Sequence, residues 1–388
     1  MTENTLRAFV LKQLLRSLLS TGALHLVLVT LFALSLICDV SYCKKSRRRW
    51  KSGRLDVLTP VIAANTACAT FPELSRPQTQ LCEKFPDVTH SAIDGVQMAI
   101  TECQYQFQKH RWNCSSLDTK SRTSFNNPIL MKGFRETAFA NAISSAGVVY
   151  HVARSCSLGN LLSCSCQTDM GKPRKKEVRQ ITQDSPNQQW IWAGCHDNAA
   201  FASAFAREFL DSKKSRASDL QSNVNTHNKK AGRLAVSKSM EIKCKCHGMS
   251  GSCELKTCWR AVPVLHTVGE QLRDRYQYAT RVQYSNKHPG RMVTMYSDRE
   301  KPPRRNLVYY DASPNYCDAD EHLHVVGTAE RVCNKSSTDM DWCGTLCCGR
   351  GYNTVLVTKT DRCNCRFHWC CYVVCETCTR KEWVTVCK

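Results

Sequence analysis

Residues 244–258 read Cys244-Lys245-Cys246-His247-Gly248-Met249-Ser250-Gly251-Ser252-Cys253-Glu254-Leu255-Lys256-Thr257-Cys258. Four cysteines bracket a polar tip, His247 to Ser252, that holds two glycines and two serines. Paired in nested fashion, Cys244 with Cys258 and Cys246 with Cys253, they would staple a hairpin and hold one hydroxyl-bearing loop out from the body. A loop closed that tightly loses little further entropy on binding, which makes it a presentation device. Two other chemistries compete for the same residues. A hydrolase nucleophile needs Gly-x-Ser-x-Gly on a strained strand-to-helix turn; here Ser252 replaces the second glycine, and the flanking cysteines leave no room for a helix. A four-cysteine zinc site is the other, but the spacing lacks paired Cys-x2-Cys knuckles.

The rest of the chain says where such a hairpin would live. Its 388 residues carry 26 cysteines, far too many for a reduced cytosolic enzyme. Arg7, Lys12 and Arg16 precede an uncharged apolar run from Leu26 to Cys38, which has the length of a signal-peptide core. Ser41-Tyr42-Cys43 has the small-x-small form that signal peptidase accepts, and a cut after Cys43 leaves an even number of cysteines. Residues 1–43 are therefore read as a signal peptide and 44–60 as a basic N-terminal segment. No later segment reaches transmembrane length.

With 54 basic and 33 acidic side chains the net charge is +21. The basic runs are Lys44-Lys45-Ser46-Arg47-Arg48-Arg49 and Lys172-Pro173-Arg174-Lys175-Lys176. No zinc-finger, helix-turn-helix or aromatic RNA-binding pattern accompanies them, so nucleic acid is not the expected partner. A secreted basic protein meets heparan sulfate and anionic membrane surfaces first. Lys172, Arg174, Lys175 and Lys176 are the candidate heparin site.

The first half reads helical. Ile93, Val96, Ile100, Cys103 and Phe107 recur at helical spacing, as do Phe139, Ile143, Ala146 and Tyr150, and Phe201, Phe205 and Phe209 form an i, i+4, i+8 stripe. All three stripes are read as core. Gln167 to Gln189 is polar and Lys-rich, and is expected to be an exposed loop. Residues 287–306, with Pro289, Pro302 and Pro303, have linker composition. From Leu307 onward β-branched and aromatic residues alternate with polar ones, which suggests short strands. Cys317 to Lys388 holds twelve of the cysteines, and a segment that small needs crosslinks to stay folded. The expected fold is α+β and disulfide-rich: a helical domain over 61–286 with the stapled hairpin, a linker over 287–306, and a small cysteine-knotted β-hairpin domain over 307–388.

Several long motifs, in order, carry a resemblance to one family. They include Arg111-Trp112-Asn113-Cys114-Ser115-Ser116-Leu117-Asp118, Arg135-Glu136-Thr137-Ala138-Phe139, Cys195-His196-Asp197-Asn198 and the hairpin 244–259. Toward the end come Leu346-Cys347-Cys348-Gly349-Arg350-Gly351-Tyr352-Asn353 and Cys363-Asn364-Cys365-Arg366-Phe367-His368-Trp369-Cys370-Cys371. The chain resembles the Wnt secreted signalling ligands. The resemblance implies a non-enzymatic glycoprotein of the extracellular space and matrix, with no catalytic residues, metal or cofactor. It also implies a palmitoleoyl group attached to Ser250 by the acyltransferase Porcupine. A secretion carrier, the cysteine-rich domain of a Frizzled receptor and a lipoprotein-receptor-related co-receptor are the implied partners.

Frizzled contact is implied for His247, Gly248, Met249, Ser250 and Gly251, and at a second hairpin, 363–378, for Phe367, Trp369, Cys370 and Cys371. The implied disulfides there are Cys363–Cys378, Cys365–Cys375 and Cys370–Cys371, whose index sums are nearly constant, as an antiparallel hairpin demands. The others implied are Cys103–Cys114, Cys156–Cys164, Cys166–Cys195, Cys317–Cys348, Cys333–Cys343 and Cys347–Cys387, leaving Cys68 with Cys82. Asn113-Cys114-Ser115 and Asn334-Lys335-Ser336 are glycosylation sequons. The alternatives to a signalling ligand are a secreted serine hydrolase using Ser250 with a histidine such as His247, and a heparin-binding matrix protein.

Overall fold

The computed structural model describes residues 68–69, 71, 74–117, 127–167, 171–183, 189–211, 219–287, 290–297, 300–369 and 372–388. The expected signal peptide, 1–43, and the expected basic segment, 44–60, lie outside the described residues. By their contacts, Met1–Pro60 and Val61–Lys388 form separate units, and all that follows concerns the second.

The helices come first: α1 (Arg76–Lys84), α2 (Pro86–Phe107), α3 (Arg135–Ser157) and α4 (Lys175–Gln183). Strand β1 (Gln189–Trp192) precedes α5 (Ala199–Leu210) and α6 (Leu220–Ser237). Strands β2 (Glu241–Cys246) and β3 (Leu255–Ala261) then make the first hairpin, followed by α7 (Leu265–Gln277). The remaining strands are β4 (Thr280–Tyr284), β5 (Met292–Thr294), β6 (Val308–Tyr309) and β7 (Val332–Cys333). A single turn, α8 (Cys343–Leu346), leads into the long strands β8 (Tyr352–His368) and β9 (Tyr372–Cys387). The sheets run β1-β3-β2, β5-β4-β6 and β7-β9-β8.

Helix α3 is the axis of the core. Phe139, Ile143, Ala146 and Tyr150 are buried, and so is nearly every other side chain along it. It packs against α2, α5, α6 and α7, so few of its side chains are left to water. Small residues make this possible. A Cβ on Gly95 of α2 would lie 2.6 Å from the Gly147 carbonyl oxygen of α3, so the two backbones touch where any side chain would part them. The α2 stripe is buried against this contact. Phe205 and Phe209 of α5 are buried and stacked at 5.8 Å between ring centres. At one end Phe107 meets Trp112, Phe139 and Tyr276 at 5.2, 4.7 and 5.0 Å, mostly edge to face.

The C-terminal segment joins this core before it departs from it. Leu307, Tyr316, Leu323 and Val325 are buried in the helical cluster. The buried Glu136 carboxylate accepts hydrogen bonds from Tyr276 Oη (2.7 Å), Tyr316 Oη (3.0 Å) and Ser313 Oγ (2.6 Å). Burial, with Glu136 alongside, pushes both phenols well above the ordinary tyrosine pKa, so they remain donors. Arg111 also donates twice to the Thr345 carbonyl, and Arg331 to those of Arg111 and Gln108. The change in packing thus falls later than the change in sequence texture.

Three expectations need correction. The 167–189 segment is not simply an exposed loop: it contains α4, because Ile181 and the Glu177 carboxylate are buried under the first hairpin. The linker contains β5, which pairs with β4 through Val282↔Thr294 and its neighbours. The strands after 307 are not all short, since β8 and β9 pair from Tyr352↔Cys387 out to His368↔Tyr372.

Candidate functional site

In the first hairpin Cys244 and Cys258 stand directly opposite in the β2–β3 register and are bonded, with Cα atoms 4.1 Å apart. Cys246, opposite Lys256, reaches across the turn to Cys253. All four sulfurs are consumed, which removes them as zinc ligands. Beyond the disulfides the tip is tied by its own backbone. His247 N–H donates to the Leu255 carbonyl (2.8 Å), Gly248 N–H to that of Ser252 (2.7 Å), and Ser252 N–H back to that of Met249 (3.0 Å). A Cβ on Gly248 would fall 1.8 Å from Ser252 Oγ, so only glycine closes this turn.

Ser250 sits at the apex with φ +55° and ψ +24°, in the left-handed region. Its side chain is exposed, and neighbouring Met249 is 88% exposed. A nucleophilic serine needs a base within hydrogen-bond reach. Among the described residues no histidine or carboxylate hydrogen-bonds to Ser250. The tip presents its hydroxyl to solvent.

The base of this hairpin is rigid for a reason the sequence reading missed. On the inner face of β3, Lys256, Cys258 and Arg260 are buried. Arg260 clamps Glu177 of α4 with Nη2–Oε2 at 2.7 Å and Nε–Oε1 at 2.9 Å, and its guanidinium lies 5.1 Å over the Trp192 ring. Lys256 Nζ donates to the Ile181 carbonyl at 3.0 Å. Burial opposes ionisation of Glu177, but hydrogen bonds from Arg260 and Arg174 outweigh it and hold the carboxyl at about 2. His196 Nδ1 accepts the Arg260 N–H (2.9 Å), and burial, with Arg260 beside it, lowers the imidazole's pKa and keeps it neutral. Asp197 accepts the Val262 N–H at 2.8 Å and the Ser157 hydroxyl. The available signal was two cations at alternate positions of a strand around a cysteine, which need buried acceptors: a carboxylate for Arg260 and a carbonyl for Lys256.

Lys172, Arg174, Lys175 and Lys176 are exposed at the start of α4. Arg174 is also committed to Glu177, at 2.5 Å. Lys172 and Arg174 border a cavity of about 340 Å³ with Lys238 and Arg260.

The second hairpin is a two-stranded ribbon exposed along nearly its whole length. Its register shifts between Cys363 and Arg366, with Asn364 in the left-handed region (φ +48°) and its Nδ2 on Glu376 Oε2 at 2.7 Å. Because of that bulge Cys363 stands opposite Glu376 while bonded diagonally to Cys378. Cys365 and Cys375 are bonded with Cα atoms 4.0 Å apart. Toward the tip Phe367 is 67% and Trp369 93% exposed, and His368 stacks on Tyr372 at 5.1 Å. Cys370 and Cys371 lie outside the described residues. The root is fastened by Cys333–Cys343 and Cys347–Cys387, beside Cys317–Cys348. In the helical part the structure joins Cys68–Cys82, Cys103–Cys114, Cys156–Cys164 and Cys166–Cys195.

The two sequons differ in access. Asn334 is exposed and its Oδ1 accepts from the Ser336 backbone and hydroxyl, both at 3.1 Å. Asn113 is half-buried, with Oδ1 accepting the Ser115 N–H at 3.2 Å. Among the described residues no helix is long and apolar enough to cross a membrane.

A helical core bearing two disulfide-stapled hairpins, with a bare hydroxyl on one tip and bare aromatics on the other, describes a binding protein. The Wnt family model matches residues 70–388. The chain is 42% identical to Protein Wnt-2b-A of Xenopus laevis over 327 residues, covering 84% of this chain and 90% of that one. It is 40% identical to mouse Wnt-3a over 326 residues, covering 83% and 88%. Among solved structures it resembles human WLS in complex with WNT8A at a TM-score of 0.55 and 30% identity, covering 84% of this chain and 99% of that chain. The chain belongs to the Wnt family of secreted signalling proteins.

Proposed function

We propose that this protein is an acylated Wnt ligand that signals by gripping a Frizzled cysteine-rich domain at two points. The observation that carries the reading is the apex of the first hairpin, where Ser250 stands exposed on a covalently closed turn and its hydroxyl has no partner among the described residues. Such a serine suits esterification by Porcupine with a palmitoleoyl chain. Sixteen carbons buried at ~0.8 kcal/mol per methylene supply on the order of 10 kcal/mol before entropic losses. The polar tip has nothing comparable to offer. An exposed chain of that size also requires a carrier during secretion, in keeping with the WLS complex of the WNT8A relative.

Phe367 and Trp369 are the second contact. Aromatics this exposed on a braced ribbon suit interface anchors. Holding one receptor domain at both hairpins gains by effective concentration, so neither contact alone need be tight. A lipoprotein-receptor-related co-receptor completes the signalling complex, heparan sulfate engages Lys172, Arg174, Lys175 and Lys176, and glycans occupy Asn113 and Asn334. Secretion and Frizzled binding of two variants test the grip. Ser250→Ala is expected to abolish the acyl mass increment, binding and lipid-dependent secretion together. Trp369→Ala should weaken binding by about 2–4 kcal/mol and leave acylation and secretion intact. Receptor binding by Ser250→Ala at wild-type strength would sink the lipid contact, and an unaffected Trp369→Ala would sink the aromatic one.

A further inference from the structure

The first hairpin has a second face. Strand side chains alternate, so Lys256, Cys258 and Arg260 point to α4 while Thr257 and Trp259 point away from it. The register sets Lys245 opposite Thr257 and Lys243 opposite Trp259, which puts both lysines on that outer face. His247, opposite Leu255, continues the row toward the tip. Together with Arg154 at the end of α3 they border a concavity of about 390 Å³.

The charges on the two faces are handled in opposite ways. Inside, Arg260 and Lys256 are satisfied by Glu177 and a carbonyl. Outside, Lys243, Lys245 and His247 make no ion pair among the described residues, and Arg154 donates only to the Tyr150 hydroxyl at 3.3 Å. The carboxylate on this lining, Asp197, is already taken by Ser157 and Val262. The concavity is therefore positive, with an indole in its floor.

Its position relative to Ser250 decides what it fits. Lys245 lies five residues before Ser250, so at about 3.3 Å per residue it stands at most roughly 17 Å behind the apex, and less because the tip curls. A chain on Ser250 that enters hydrocarbon brings these cations to the headgroup layer. One acyl chain alone gives marginal, reversible membrane binding; a basic patch beside it supplies the second signal that stable anchoring needs. We infer that the outer face of the β2–β3 hairpin is an anionic-phospholipid headgroup site that works with the acyl chain. The inference rests on acylation of Ser250.

The test is co-sedimentation of the purified, secreted full chain with phosphatidylcholine vesicles, with and without phosphatidylserine. Phosphatidylserine should raise partitioning about thirtyfold, at the usual strength of two surface lysines. Lys243→Gln/Lys245→Gln should erase most of that preference and leave partitioning to phosphatidylcholine unchanged. Lys301→Gln/Lys381→Gln, which removes the same charge from exposed positions elsewhere, should keep the preference. An equal loss in both double variants would mean bulk charge and overturn the site. So would an unchanged preference in the first double variant with weakened receptor binding, which would give the face to an acidic protein loop. The mass of the 245–256 peptide in each preparation separates the two readings. A preparation without acyl groups refutes the proposed function, whereas an acylated one indifferent to phosphatidylserine refutes this inference alone.

Discussion

The two hairpins solve one problem, holding a tip still, by different physics. The first is short and welded down: β3 is central in its sheet, pairs with β1 on one side and β2 on the other, and buries alternate side chains against α4. Packing and a buried ion pair hold its base, and disulfides only close the end. The second is long, has water on both faces, and meets the body through β7 and the cysteines at its root. Its rigidity must come from crosslinks and cross-strand pairs, because almost nothing packs on it. The tip that presents a bare serine is built on a buried base. A tip that carries its own aromatics can ride on a ribbon.

The sharpest way to break this contrast is Arg260→Ala. It strands the buried Glu177 carboxylate without its main partner, and a broken buried pair costs about 3–5 kcal/mol. Equilibrium unfolding of the secreted protein should show the loss. Pairing it with Glu177→Gln should recover part of it, because the charge left unpaired is then gone. If Arg260→Ala unfolds at the wild-type midpoint, the welded base is a misreading.

Acid should sharpen the contrast without any mutation. Glu177 titrates at about 2 in the folded protein against an ordinary 4.5, so its contribution is intact above that ordinary value and is lost as pH falls through about 2. His196 is lowered from 6.5, so its neutral acceptor role starts to cost stability once pH falls below that value. Protection factors over 255–261, taken relative to the intrinsic exchange rate at each pH, should therefore fall on acidification, ahead of those over 372–387. An equal fall in both segments would erase the distinction.

The smallest effect is expected on the ribbon. Trp383 is 68% exposed and stands opposite Leu356. Trp383→Ala removes one cross-strand pair, worth about 0.2–1 kcal/mol, and should barely move the unfolding midpoint. A loss as large as that of Arg260→Ala would show that this face is buried against something.

Much of this was legible in the chain. The stripes on α2, α3 and α5 are core because an amphipathic period leaves a helix little choice of which face to bury. The closed turn at 244–258 follows from four cysteines around a glycine-rich tip, and the family from motifs long enough that order and spacing carry the information. Other features needed the third dimension. The α4 segment reads as loop because nearly all its side chains are polar; it folds because Glu177 meets Arg260, a partner 83 positions away that no local pattern marks. The bulge that makes Cys363–Cys378 diagonal depends on a left-handed Asn364 in a ribbon whose full length no cysteine spacing marked. Local periodicity and covalent spacing are written along the chain. Which cation meets which carboxylate, and which face of a strand is left to solvent, is settled only when distant elements pack.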